Sequence, residues 1–234
     1  MPETPFLTAR WSQLCLLNYR VPASVLEPHL PQGIALDTLD GDAYASLVAF
    51  DFLDTRVGGV PWPGYRDFPE INLRFYVRQG NRRGVVFVRE FVPRQAIALI
   101  ARALYNEPYS AARIDTFDRS SESSIERTTE LHWGRRVHRL TVRARKPGHV
   151  PPEGSVEHFF KEHKWGFGRT RQNQALSYKV LHPVWNVFPV EDYSLDWDWG
   201  LVYGPEWSFL QNERPASVIL AEGSRVAVFP HRQL

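Results

Sequence analysis

Four polar side chains at alternate positions form the clearest chemical pattern in this 234-residue sequence. They are Glu70, Asn72, Arg74 and Tyr76, in the run Phe68-Pro69-Glu70-Ile71-Asn72-Leu73-Arg74-Phe75-Tyr76-Val77. Successive side chains of a β-strand point to opposite faces, so the four polar groups share one face and the apolar residues share the other. A carboxylate beside an amide, a guanidinium and a phenol can bind a polar ligand and exchange a proton with it.

Two interpretations of this polar face stay open from the sequence. If the face meets solvent, the segment is an ordinary half-buried strand. If the face points into a closed sheet, Glu70 and Arg74 can pair across Asn72 and form a charged pocket wall.

A second segment carries polar groups on a predicted helix. Pro93 suits a helix start, and the apolar residues from Ile97 to Leu104 recur at spacings of three and four, which predicts about three helical turns. Pro108 ends the pattern, because the residue before a proline is disfavoured in a helix, and a strand over 109–117 follows. An ordinary surface helix is the alternative interpretation of this segment.

Other catalytic signatures are missing from the sequence. It has no Gly-x-Ser-x-Gly motif, no phosphate-binding glycine loop and no paired-histidine helix. The only cysteine, Cys15, lies in an apolar run, which indicates a buried thiol and not a nucleophile. The histidines lack ligand spacing; His158 and His163, for example, are five positions apart and do not share a helix face. We therefore expect no metal site and no organic cofactor.

Composition limits the class of protein. No apolar run approaches the ~18 residues that cross a bilayer, which argues against a membrane protein. The net charge of +2 comes from 28 basic and 26 acidic residues that are scattered along the chain, which argues against a nucleic-acid partner. The first residues lack the basic and apolar regions of a secretory signal, so we expect a cytoplasmic protein. We expect residues 1–234 to form a single domain.

The elements that must position these groups are mainly short strands. Strands are predicted over 12–20, 34–39, 43–52, 71–78, 84–91, 109–117, 124–132, 136–145, 174–181 and 184–190, with a closing hairpin of 216–221 and 225–228. Short helices are predicted over 21–31 and 205–210 and from Val156, with Ser155 as N-cap. The absence of strand–helix–strand alternation indicates an α+β fold, mainly an antiparallel closed β-barrel or cone with a few short helices.

Three blocks resemble one known group of proteins in order and spacing. They are Arg10-Trp11 with Tyr19-Arg20-Val21-Pro22, then Pro69 to Arg74, then Pro93 to Tyr109. Together they resemble the acetoacetate decarboxylase-like superfamily over about residues 6–118, and the second block is most similar to its uncharacterised YqjF-like branch.

The resemblance implies roles for individual residues. Glu70 matches the pocket glutamate of the decarboxylases, and Arg10 lies about two positions from their pocket arginine. Tyr109 stands where the Schiff-base lysine would be, and a phenol cannot form an imine with a keto acid. Lys179 is the only lysine that we consider for the cavity, with a solvated surface position as the alternative.

We therefore expect a cavity lined by Glu70, Arg74, Arg102, Tyr105 and Tyr109, with Arg10 as a further substrate-binding residue. One hypothesis is an enzyme without Schiff-base chemistry, a lyase or isomerase that acts on an oxo-acid-like compound, with Glu70 as acid or base. The alternative is a non-catalytic protein that binds an acidic or aromatic metabolite, and a purely structural protein is the third option. A homodimer is the commonest closed assembly.

Overall fold

Strands dominate the computed structural model, which describes residues 3–97, 99, 108–170, 172 and 174–234. The strands of these residues are β1 (Leu7–Arg20), β2 (Ala35–Leu36), β3 (Tyr44–Val57), β4 (Val60–Pro61), β5 (Phe68–Gln79), β6 (Arg82–Val92), β7 (Tyr109–Ala111), β8 (Arg113–Ser120), β9 (Ser124–Trp133), β10 (Arg136–Arg145), β11 (Trp165–Arg169), β12 (Ala175–Leu181), β13 (Val187–Phe188), β14 (Val190–Asp196), β15 (Ser217–Val228) and β16 (Arg232–Gln233). The helices are α1 (Ala23–Leu26), α2 (Val156–Lys161) and α3 (Trp199–Tyr203), with 3-10 turns at Glu27–His29 and Pro205–Asn212.

Seven strands pair in a ring. The order β15-β1-β3-β5-β6-β11-β12 returns to β15, because β12 pairs with β15 through Val180 and Leu181. Most of the pairings are antiparallel, as predicted, but β11 and β7 each lie parallel to β6. A second sheet of four antiparallel strands has the order β14-β10-β9-β8.

Strand β5 is buried on both faces, and this decides between the two interpretations of its polar residues. Ile71, Leu73 and Phe75 belong to a core cluster that also contains apolar residues of the second sheet, including Leu131 and Val142. The opposite face of β5 lines the ring interior. Glu70, Asn72 and Tyr76 are buried and Arg74 is half-buried, so these polar residues require hydrogen bonds or ligands to satisfy them.

The local elements were predicted well. The hairpin of β5 and β6, the bounds of β10 and the helix α2 are confirmed, and Ser155 Oγ accepts a hydrogen bond from the His158 N–H as an N-cap. In the helix predicted to begin at Pro93, residues 95–97 and 99 are helical and residues 93 and 94 precede the helix. Arg102 and Tyr105 lie outside the described residues. Within the described residues, no helix is long and apolar enough to cross a bilayer.

Four strand predictions were wrong. The predicted strand over 184–190 is divided, because only Val187–Phe188 form β13 and Val190 begins β14, which lies in the other sheet. Residues 109–117 form two strands in different sheets, β7 beside β6 and β8 beside β9. Residues 217–228 form one continuous strand, β15, because β1 pairs with it from Ser217 to Val228. The strand β11 was not predicted at all.

Glycine allows the close approach that joins β6 to β11. A Cβ atom on Gly84 would lie 2.4 Å from the Trp165 carbonyl oxygen, so only a glycine fits there. We predict that Gly84→Ala lowers the free energy of unfolding by about 1–3 kcal/mol, the usual cost of overpacking. Urea unfolding followed by fluorescence measures this change.

The matched control is Arg78→Ala, because Arg78 is exposed on the same hairpin and should change stability by less than about 0.5 kcal/mol. Equal stability of Gly84→Ala and the unmodified protein would show that the β6–β11 contact does not hold the ring together.

Candidate functional site

The ring encloses a cavity of about 280 Å³. Much of its wall is aromatic, from residues on β1, β3 and β5 and from the loop between β4 and β5, among them Trp11, Phe50, Phe52, Trp62 and Tyr65. Polar side chains are few, which is the usual composition of a pocket for a small organic molecule.

Glu70 is a buried carboxyl group in the wall of this cavity. Its side chain lies on β5 and the residue is 3% exposed. Asn72 Nδ2 donates to Glu70 Oε1 at 2.9 Å, and the Tyr109 hydroxyl donates to Oε2 at 3.4 Å. Burial raises the pKa of Glu70 from 4.5 to about 7, although these two hydrogen bonds and the positive charge of Arg74 oppose the rise. Near neutral pH this carboxyl can both give and accept a proton.

Arg74 lines the same cavity but does not form the predicted direct pair with Glu70. In the described residues the Glu70 carboxyl is hydrogen-bonded to Asn72 and Tyr109, and Arg74 Nε is buried without a hydrogen-bond partner. A bulge between Leu73 and Arg74 in the pairing with β6 shifts the register at this point. Arg74 therefore acts on Glu70 through its charge and keeps a donor group for another partner.

Tyr109 reaches the cavity because β7 lies parallel to the end of β6. Its register partner is Glu90, a second buried carboxyl residue, which also pairs with Asn72 of β5. Glu70, Asn72, Glu90 and Tyr109 thus come together from three adjacent strands, and all four line the cavity. Three of the predicted site residues, Glu70, Arg74 and Tyr109, share one site in the structure.

Two predicted positions lie elsewhere. Arg10 is exposed and does not line the cavity, because on β1 its neighbour Trp11 occupies the inward face. Lys179 also points away, since Tyr178 and Val180 on either side of it in β12 line the cavity. The lysine that does line the cavity is Lys161, whose Nζ lies 2.6 Å from Glu162 Oε1 in a buried ion pair.

Lys161 and His163, like Glu90, are site residues that sequence reasoning missed. The helix α2 positions Lys161 and His163, because its Phe159 and Phe160 are buried in the ring interior and bring the end of the helix against the cavity. The two adjacent phenylalanines before Lys161 are the signal that this end of the helix is buried. Cys15, by contrast, behaves as predicted: it is fully buried, and burial raises the pKa of its thiol to about 12.

A cluster of titratable groups also lies on the second sheet. The ligand atoms of Asp115, Glu130 and His132 are within 4.8 Å of one another. His132 Nε2 lies 2.8 Å from Asp115 Oδ2, and Arg113 and Arg139 pair with Asp115 and Glu130. The arginines already compensate both carboxylates, so the cluster is an ion-pair network.

Comparison with known proteins gives the family. The sequence matches the DUF2071 family, described as an uncharacterized conserved protein, over residues 8–225. The chain belongs to the DUF2071 family. Uncharacterized protein YqjF of Bacillus subtilis (strain 168) is 29% identical over 129 residues, which cover 52% of this chain and 53% of that protein. The match thus spans about half the length of this relative.

Solved structures share the fold of this DUF2071 protein. An acetoacetate decarboxylase-like enzyme from Sphingomonas wittichii RW1 has a TM-score of 0.67 at 14% identity, over 100% of this chain and 94% of that one. The acetoacetate decarboxylase of Legionella pneumophila has 0.66 at 16%, over 100% and 88%. The enduracididine biosynthesis enzyme MppR complexed with pyruvate has 0.65 at 14%, over 98% and 91%. At these identities the likeness shows the fold alone.

The raised pKa of Glu70 makes the stability of this DUF2071 protein depend on pH. A group whose pKa rises on folding stabilises the folded state below its unfolded pKa, and this contribution is lost as the pH rises through the folded value. From pH 4.5 to above pH 7, we predict that the unmodified protein loses about 3 kcal/mol of stability relative to Glu70→Gln. Urea unfolding of both proteins at several pH values measures the difference.

The control for this comparison is Glu122→Gln, because Glu122 is exposed. The free energy of unfolding of this variant should equal that of the unmodified protein at every pH, within about 0.5 kcal/mol. If the difference in unfolding free energy between Glu70→Gln and the unmodified protein also did not change with pH, Glu70 would behave as a solvated carboxyl.

Proposed function

We propose that this protein binds a small, largely apolar oxo acid in the ring interior and that Glu70 exchanges a proton with the carbon next to the ligand carbonyl. This corresponds to a lyase or isomerase reaction, with the ring acting as the closed barrel that the sequence indicates. The observation that carries the proposal is the placement of Glu70, a buried carboxyl with a pKa of about 7 in an aromatic cavity. A general acid or base works best when its pKa lies near the working pH.

The proposed proton transfer needs a partner for the negative charge that develops. When carboxylate Glu70 takes the proton, the C–H electron pair moves into the carbon skeleton and the carbonyl oxygen becomes an enolate. Arg74 supports this step, because its charge favours an anion and its buried Nε lacks a partner among the described residues. Return of the proton from Glu70 to another atom of the ligand completes an isomerisation.

The solved structures support the oxo-acid part of the proposal. One of them holds pyruvate, and others are named acetoacetate decarboxylases, so the same fold accommodates oxo acids in those proteins. The aromatic wall of this cavity favours an apolar or aromatic tail on the ligand, which pyruvate lacks.

Imine chemistry is not part of the proposal. Tyr109 cannot form an imine, and Lys161, which lines the cavity, is held in a buried ion pair with Glu162. We predict that sodium borohydride in the presence of acetoacetate traps no adduct and that no carbon dioxide is released. Intact-mass spectrometry measures the adduct, and peptide mapping that located one at Lys161 would contradict this prediction.

Hydrogen–deuterium exchange distinguishes an enzyme from a binding protein. With 2-oxo-4-phenylbutanoate in deuterated buffer, we predict that the unmodified protein accelerates exchange of the protons next to the carbonyl. Glu70→Gln should keep the ligand bound but slow this exchange by about 10²-fold or more, since general base catalysis contributes about 10²–10⁴-fold. Proton NMR follows the exchange, and calorimetry measures binding.

The matched controls are two arginines on the same strand. Arg74→Ala should weaken binding by about tenfold or more, because it removes a charged donor, while Arg78→Ala at an exposed position should not. Tight binding without accelerated exchange in the unmodified protein would favour the alternative function, a non-catalytic metabolite-binding protein. Undetectable binding would refute both.

A further inference from the structure

His163 is a buried histidine whose ring is held by a carboxylate. It lies in the segment between α2 and β11, and its side chain is 1% exposed. Its Nε2 is 3.0 Å from Oδ2 of Asp37, the residue that directly follows β2, 126 positions earlier in the sequence. The rings of Tyr76 and Phe159 pack against it, with centroids 4.7 Å and 5.2 Å away. The imidazole therefore has one orientation.

The hydrogen-bond partners determine which nitrogen carries the proton. Burial acts to raise the pKa of Asp37, but hydrogen bonds from His163 and Arg83 outweigh it and hold the pKa below its ordinary value. Asp37 is therefore a carboxylate and can only accept, so His163 Nε2 must donate. Burial lowers the pKa of His163 to about 4, and the charges of Arg83 and Arg74 act in the same direction. At neutral pH the ring is neutral, and Nδ1 has a free lone pair.

His163 Nδ1 has no hydrogen-bond partner among the described residues, although it is buried. A buried acceptor without a partner destabilises a protein, and a ligand group that donates to it would remove this cost. His163 is one of the residues that line the cavity that holds Glu70. Arg74 lines the same cavity as Glu70 and His163, and its positive charge acts to lower the pKa of both.

We propose that the Asp37–His163 pair is a second recognition point in the cavity, at which His163 Nδ1 accepts a hydrogen bond from a hydroxyl or N–H group of the ligand. The inference rests on the proposed function only in requiring that the cavity binds a small molecule. It narrows the ligand class: beside its acidic group, the ligand carries a neutral hydrogen-bond donor. A second carboxylate is disfavoured there, because a lone pair and an anion repel each other.

Two small probes that differ by one hydroxyl group test this inference. They are 4-methylphenol, which has a donor, and toluene, which does not. In protein with ¹⁵N-labelled histidine, we expect the Nε2–H tautomer of His163 without probe. We expect 4-methylphenol, and not toluene, to move the Nδ1 resonance in the direction of a hydrogen-bonded nitrogen.

Affinities in three variants show whether His163 causes the preference. In His163→Phe, the ratio of the affinity for 4-methylphenol to the affinity for toluene should fall about tenfold, which is the effect of losing one hydrogen bond. The same ratio should be unchanged in Glu70→Gln. Asp37→Asn gives a second measure that does not depend on replacing the ring, because an amide at position 37 allows the Nδ1–H tautomer and should also reduce the preference.

The outcomes separate this inference from the proposed function. If both probes bind and His163→Phe leaves their affinity ratio unchanged, the cavity is a small-molecule site but His163 does not recognise the donor. An Nδ1 resonance that does not shift when 4-methylphenol is bound also overturns the inference. If neither probe perturbs any cavity residue, the inference is overturned, whereas the proposed function is tested separately by the binding of 2-oxo-4-phenylbutanoate.

Discussion

Burial of polar side chains in the ring interior is the constraint on which the candidate site depends. The ring closes through two short contacts: β6 with β11 at Gly84 and Val85, and β12 with β15 at Val180 and Leu181. Because these contacts hold, inward-facing groups lose their hydration. The same loss raises the pKa of Glu70 and lowers that of His163, since burial disfavours the charged form of each. One physical cause thus sets the protonation of both groups.

Strand β5 links this interior to the rest of the fold. Its apolar face packs against the second sheet, and its polar face lines the cavity, so the strand stays in place although one side is polar. Asn72 Oδ1, Arg74 Nε and His163 Nδ1 are buried without hydrogen-bond partners among the described residues, at about 1–3 kcal/mol each. Burial of the large apolar face offsets this cost, and a ligand with matching groups would remove it.

Two of the wrong strand predictions have one cause: glycine occurs in turns and also inside strands that approach each other closely. Glu222-Gly223-Ser224 looks like a hairpin turn, but Gly223 sits inside β15, where a Cβ atom would lie 2.2 Å from the Trp11 carbonyl oxygen. The glycines of β11 also hide a strand, since a Cβ on Gly166 would lie 2.1 Å from Tyr178 Cζ. In both places glycine allows close approach between strands, which only the partner strand reveals.

The sequence by itself determined the alternation of β5, the hairpin that it forms with β6, and the similarity to one superfamily. These features depend on neighbouring residues, because the period of two in a strand is a local property. Only the tertiary structure decided that Arg10 faces outward and that Lys161, not Lys179, lines the cavity. It also joined Asp37 to His163, which are 126 positions apart. Such contacts depend on how distant strands pair, and residue spacing along the chain carries no information about that pairing.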